Sequence, residues 1–228
     1  MIGSYPSAYG REAMLRIGAE GTPVILVLQP LFEEANRMRR VLVEVMRGLA
    51  QHGYATVLPD LPGTNDSAIA TVDARFEHWA EAVRSVSAEV TPIATIAVRG
   101  GALLDGRATG MPHWRLSPET GTRLLRDMVR ATAVSAGLKT SDFDIQARTS
   151  PERLVGNLIH PELYTAINAA RFDTVDARTV RLEGDTGHAD LHIPGAPPWR
   201  RAEPGDDPTL VAAMVDDIAT WANTCVST

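Results

Sequence analysis

Three segments of this sequence put polar or charged side chains directly behind apolar, β-branched runs. Gln29-Pro30-Leu31 follows the run at 24–28, Asp60-Leu61-Pro62-Gly63-Thr64-Asn65-Asp66-Ser67 follows 54–58, and Arg99-Gly100-Gly101 follows 93–98. In a doubly wound α/β protein the reacting atoms collect beyond the carboxyl ends of the strands. The third segment has the form of a tight strand-to-helix turn, where a serine in a Gly-x-Ser-x-Gly setting would be exposed as a nucleophile. Here the turn reads Ala97-Val98-Arg99-Gly100-Gly101, and none of the ten serines lies in such a setting. A serine works because a neighbouring histidine takes its proton. A guanidinium is five donors with no usable lone pair and stays protonated. The chemistry open to Arg99 is therefore electrostatic.

A cation at the start of a helix is opposed by the helix dipole, by roughly 0.3 to 1 kcal/mol when exposed. Arg99 should for that reason sit beside a carboxylate or a bound anion. Glu33 and Glu34, which open the helix after Gln29-Pro30, are the expected partners, with Asp66 as an outsider. Asp185 follows the strand-like 179–182 and could serve as an acid, with His188 three residues on as a base. The loop after the last strand, Gly195-Ala196-Pro197-Pro198-Trp199, holds no histidine. Proline in Gln29-Pro30 removes an N–H from the place where oxyanion donors are usually supplied. The candidate set is thus Glu33, Glu34, Arg99, Asp185 and His188 for catalysis. Gln29, Asn36, Asp66, Arg99 and Trp114 are the candidates for holding a substrate or anion. No metal site and no cofactor is expected. Glu33 to Arg37 and Arg40 to Glu44 are i, i+4 pairs that suit a solvated helix face, and Arg123, Arg126 and Arg130 read the same way.

The elements that must position these residues follow from periodicity. The run Val24-Ile25-Leu26-Val27-Leu28 is what a strand buried on both faces looks like. Met38, Val41, Leu42, Val45, Met46 and Leu49 fall on one helical face that stops at Gly53. A strand at 54–58, a helix over 72–89 and a strand at 93–98 continue the alternation, which predicts an α/β fold with a mostly parallel sheet. Residues 106–160 read as a mostly helical insertion, or cap, within a single domain spanning 1–228. Ser117 fits its N-cap, Pro118 its first turn and Gly137 its end. Late strands are expected at 179–182 and 189–193. A final helix is expected after Asp207-Pro208, with Leu210, Val211, Met214, Ile218 and Trp221 inward.

The three strand ends together resemble those of an α/β-hydrolase, with three layers around a mostly parallel sheet. A narrower resemblance is carried by several stretches: Pro30-Leu31-Phe32-Glu33-Glu34-Ala35-Asn36-Arg37-Met38-Arg39-Arg40, Leu58-Pro59-Asp60-Leu61-Pro62-Gly63, Val98-Arg99-Gly100-Gly101-Ala102-Leu103-Leu104, Trp114-Arg115-Leu116-Ser117-Pro118 and Pro194-Gly195-Ala196-Pro197-Pro198-Trp199. In these the chain is similar to the hydrolases associated with exosortase A (PEP-CTERM) systems, the second of the two types. Arginine also stands at the elbow in that family. The chain departs from the pattern at Thr64-Asn65 and at Pro198. The resemblance implies a divergent hydrolase of an acyl or ester-type substrate, linked to exosortase and exopolysaccharide systems in bacteria. The alternative is a non-catalytic ligand-binding or protein-interaction component on the same fold, and fold does not fix the choice.

The chain has 228 residues, a formal charge of −6 and 44% hydrophobic residues. The acidic balance argues against nucleic acid, which needs a basic field. A small-molecule or glycan-derived anionic ligand is the expected partner, and a homo-oligomer is compatible with the sequence. The lone Cys225 cannot form an internal disulfide, and no Cys/His cluster has zinc spacing. No signal peptide is expected from the first residues. No apolar run approaches the ~20 residues of a membrane span, so a cytoplasmic protein without membrane insertion is expected. Twenty-one arginines stand against the single Lys139, an excess that base composition can explain except where an arginine has a task.

Overall fold

In the computed structural model, residues 1–137, 139–172 and 177–226 are described. The chain opens on an antiparallel hairpin of β1 (Ile2–Ser7) and β2 (Gly10–Ile17). Then come β3 (Val24–Leu28), α1 (Glu33–Gln51), β4 (Ala55–Pro59), α2 (Phe76–Val90), β5 (Ala94–Val98) and β6 (His113–Leu116). A helical excursion follows, with α3 (Gly121–Ala136), α4 (Thr140–Ala147), a small hairpin of β7 (Glu152–Leu154) and β8 (Asn157–Ile159), and α5 (Pro161–Ala169). The chain returns through β9 (Ala177–Leu182) and β10 (Leu191–Ile193) to α6 (Pro208–Val226). Eight strands form one sheet in the order β1-β2-β4-β3-β5-β6-β9-β10, parallel from β4 to β10.

Every residue of β3, β4 and β5 is buried, which is why β3 reads as an unbroken apolar run and β4 and β5 are interrupted only by the β-branched Thr56 and Thr95. Alternation sorts the side chains of β3 between two cores. Ile25 and Val27 pack with α1 and α6, whereas Val24, Leu26 and Leu28 pack with α2, α3 and α5. Met38, Val41, Leu42, Val45, Met46 and Leu49 form the buried stripe of α1, as the spacing predicts.

Two parts of the sheet differ from the sequence expectation. The N-terminal hairpin is half-exposed and charged, so it lacks a clean alternation; Tyr5, fully buried, anchors it by donating its hydroxyl to the Asp60 carbonyl at 2.5 Å. β6 lies inside 106–160 and is fully buried in spite of its polar residues. His113 meets Thr95 Oγ1 at 2.7 Å, and Arg115 lies against Asp105 with Nε–Oδ2 2.6 Å and Nη2–Oδ1 2.9 Å. Each polar group on the strand is matched by a partner, so burial is not signalled by apolarity.

Ser117 is not the cap of the following helix. It carries φ +42° and extends β6 by donating its N–H to Val180 O at 2.8 Å, while Thr120 caps α3 by accepting from Arg123 N. Gly137 ends α3 at φ +68°, as expected. Gly121 has to be glycine because a Cβ there would collide with the Ile167 carbonyl of α5. The apolar faces of α3 and α5 join the same cluster as Trp79 and Val83 of α2.

Trp114 faces the α1 and α6 side, where its Nε1 donates to Asp217 Oδ2 at 2.8 Å and Arg178 grips the same carboxylate from two nitrogens, at 3.0 and 2.7 Å. Burial alone would raise the Asp217 carboxyl, but the bonds from Arg178 and Trp114 bring it below the ordinary aspartate range. Its contribution to stability is therefore present above that range and lost as pH falls through the folded value. Asp217→Ala leaves Trp114 Nε1 buried without an acceptor, and a loss of about 1–3 kcal/mol is expected in urea unfolding at neutral pH, shrinking as the pH is lowered.

Candidate functional site

β5 runs into Arg99 at φ +54°, and a short 3₁₀ segment, Arg99–Leu103, follows. A positive φ is uncommon for a non-glycine residue and marks a held conformation. The turn is pressed against the end of β3, so that a Cβ on Gly101 would stand 2.7 Å from the Gln29 carbonyl oxygen. Glycine is required there.

Arg99 is 7% exposed, and two carboxylates and one carbonyl accept from its N–H groups. Nε donates to Glu34 Oε2 at 3.2 Å and Nη2 to Glu34 Oε1 at 3.1 Å, a two-pronged contact. Nη1 reaches Glu119 Oε2 at 3.3 Å and the Ser117 carbonyl at 3.5 Å. The second Glu119 oxygen accepts from Thr120 N at 3.0 Å and meets Arg123 Nε at 3.3 Å. Trp199 closes the guanidinium from one side, with its ring centroid 5.0 Å from Arg99 Cζ. Glu34 and Arg37, one turn apart on α1, divide the work: Glu34 holds Arg99, and Arg37 Nη1 donates to the Trp199 carbonyl at 2.9 Å. Glu33 and Glu34 also stand in the first turn of α1, where the dipole favours negative charge.

Burial raises the Glu34 carboxyl above the ordinary range; Arg99 pulls it back in part, while Asp127 and Glu119 push the same way as burial. Burial alone would lower Arg99, but Glu34 and Glu119 raise it overall, so the guanidinium is charged at any working pH. The stability contributed by Glu34 is fully present below the ordinary glutamate range and is lost as pH rises through its folded value.

Two clefts meet at this cluster. One, of about 460 Å³, lies over the ends of β5, β6 and β9 and is lined by Ser117, Glu119, Arg181, Asp185, Trp199 and Arg200 as well as Arg99. The other, of about 510 Å³, lies between the start of α1 and α3, with Leu31, Phe32, Glu33, Leu124, Met128 and Val134 among its walls. Arg99, Trp199 and Arg200 line both.

The sequence candidates separate on this geometry. Glu34 and Arg99 are in contact, and Glu33 lines the second cleft beside them. Asp185 lines the first cleft, where a hydrogen bond from Gly187 N at 2.9 Å and then Arg181 at 2.8 Å hold its carboxyl below the ordinary range. Gln29 is buried at the end of β3, and its Oε1 has no hydrogen-bond partner among the described residues. His188, Asn36 and Asp66 are exposed and line neither cleft; the His188 carbonyl accepts from Arg181 Nε at 3.0 Å. Trp114 lines neither cleft, because β6 turns it to the other core. Glu119, Ser117 and Arg200 were not among the candidates. Their signal was hidden with β6: once that strand is recognised, Ser117-Pro118-Glu119 is another carboxyl end of the sheet. Ser117 Oγ is buried without a partner among the described residues.

Solved structures overlay this chain almost end to end. Est1E from Butyrivibrio proteoclasticus, with ferulic acid bound, matches 99% of this chain and 100% of its own at a TM-score of 0.67 and 15% identity. A thermophilic esterase from Thermogutta terrifontis, with malate bound, matches 99% of each chain at 0.57 and 14% identity. The chain has the α/β-hydrolase fold. The bottromycin epimerase BotH, in complex with bottromycin A2, overlays 98% of this chain and 99% of its own at 0.52 and 13% identity. The overlay on epoxide hydrolase A from Mycobacterium thermoresistibile is partial: the chain spans 39% of that protein's length, with 51% of its own residues and a TM-score of 0.42. No protein-family model and no curated protein matches the sequence. At the strand ends of this α/β-hydrolase fold stand Arg99 after β5, Asp185 after β9 and Trp199 after β10. Among the described residues no group of three histidine, cysteine or acidic side chains is placed to hold a metal ion, and no helix is long and apolar enough to cross a membrane.

Proposed function

We propose that this α/β-hydrolase-fold protein binds a ligand at its strand-end clefts without the acyl-enzyme step of serine hydrolases. In chain order the fold presents nucleophile, acid and histidine; in this reading those places are held by Arg99, Asp185 and Trp199. The observation that carries the reading is the pairing of Arg99 with Glu34 and Glu119 under Trp199. An arginine stacked on an indole replaces a hydroxyl bonded to an imidazole, and neither group can take or give the proton that acyl transfer needs. The protein supplies its own anions to Arg99, so an external ligand meets the rest of the cleft: Asp185, Arg181, Arg200 and the Trp199 ring. A polar, anionic or glycan-derived small molecule suits that mixture of donors and acceptors. The sequence resemblance links the chain to exosortase and exopolysaccharide systems. The net charge of −6 argues against a nucleic-acid partner.

A second reading is favoured by Glu34. Glu34 lines the second cleft, and burial raises its carboxyl toward the range where a general base toward water works best; the esterases that share the fold make an acyl ester the natural substrate to try. A panel of p-nitrophenyl esters of increasing chain length separates the readings. The first predicts no turnover above buffer from the wild type or from Glu34→Gln. Turnover that Glu34→Gln abolishes would instead establish hydrolysis by carboxylate-activated water.

A further inference from the structure

Arg126 and Arg130 lie one turn apart on α3, and neither has an ion pair or side-chain hydrogen bond among the described residues, whereas Arg123 reaches Glu119. Like charges at i, i+4 repel each other on a helix. Both line a cavity of about 670 Å³ between α3, α4 and α5, floored by Leu125, Val129 and Tyr164. A third arginine is held ready on the opposite wall. Asp144 grips Arg148 at Nε and Nη2, at 3.2 and 3.3 Å, and is itself fixed by the hydroxyl of the buried Tyr164 at 2.6 Å. The Arg148 guanidinium lies 5.6 Å from the Tyr164 ring centroid. Of its five N–H groups two are used, which leaves three for a ligand. Three arginines against one aspartate give the cavity two net positive charges on a chain whose net charge is −6.

We infer that this cavity binds the phosphate group of a small organic phosphomonoester on Arg126, Arg130 and Arg148, with the organic body over Leu125 and Val129. A dianion matches the excess charge, and planar guanidinium forks match phosphate oxygens in pairs. A volume of this size suits a ligand larger than the ion alone. Arg130 also lines the cleft between α1 and α3, so the test rests on Arg126 and Arg148, which line this cavity and neither cleft at the Arg99 cluster.

Phenyl phosphate, inorganic phosphate and benzoate are the probes, titrated by calorimetry into the full chain. Phenyl phosphate is expected to bind about tenfold more tightly than benzoate, because the doubly charged group engages more than one fork, and more tightly than inorganic phosphate. Arg126→Ala is expected to weaken phenyl phosphate about tenfold. The same substitution should leave the melting temperature of the free protein unchanged or raised, since it relieves the repulsion on α3. Arg148→Ala should weaken the probe in the same way, and Arg200→Ala, at the Arg99 clefts, should not. The inference fails if the wild type does not bind phenyl phosphate, if Arg126→Ala binds it as the wild type does, or if Arg200→Ala removes the binding. Equal affinity for inorganic phosphate would overturn the organic body.

Discussion

Arg99→Met is expected to destabilise the protein by about 3–5 kcal/mol, the usual cost of removing one partner from a buried ionic cluster. Methionine keeps much of the bulk against Trp199 but leaves two carboxylates, 17% and 9% exposed, facing each other without their shared cation. Against a total stability of about 5–15 kcal/mol, that is a large fraction. Urea unfolding followed by circular dichroism reads it as a lower midpoint at constant slope. The triple variant Arg99→Met/Glu34→Gln/Glu119→Gln separates charge from shape. With no charge left to strand, it should recover most of the loss. If Arg99→Met alone were as stable as the wild type, the ion cluster would not be what holds the strand ends together.

A comparable loss is expected at the other buried pair. Asp105 and Arg115 are each 1% exposed and joined by two short bonds, and the Arg115 guanidinium lies 5.2 Å from the Phe172 ring centroid. Asp105→Ala removes both of those bonds from a guanidinium buried behind β6, and about 3–5 kcal/mol is the expected cost in the same urea experiment. Asp105→Leu/Arg115→Met removes both charges together and should come out closer to the wild type than either single change. A double variant no better than Asp105→Ala would mean that packing around Phe172, rather than charge, decides the effect.

How much of this could be read beforehand depends on what each residue's neighbours are. The strands at 24–28, 54–58 and 93–98 announce themselves because both faces of the sheet are covered there, leaving no polar position in β3. The contact between Arg99 and Glu34 follows from a cation at a turn needing a nearby anion, and the start of α1 offers one. β6 could not be read in the same way, since His113 and Arg115 are polar and are satisfied by Thr95 and Asp105 from distant parts of the chain. Losing β6 also hid Glu119, whose position is set by the end of that strand. It turned Trp114 from a core residue bonded to Asp217 into an apparent ligand contact. Trp199 stood in view in a loop without histidine, but its place over Arg99 depends on Arg37, 162 residues away in sequence, holding its carbonyl. The arginine excess divides accordingly: Arg99 and Arg115 are buried cations paired with carboxylates, while Arg126 and Arg130 have no ion pair among the described residues and line a cavity.

The measurement that bears most directly on the Arg99 site is the intact mass of the purified protein after incubation with a fluorophosphonate. The arrangement of Arg99, Asp185 and Trp199 predicts an unchanged mass, with no serine activated for attack. A single stoichiometric adduct would contradict it, and mapping that adduct to Ser117, whose buried hydroxyl has no partner among the described residues and which lines the same cleft as Arg99, would show that the nucleophile had moved one strand along rather than been lost.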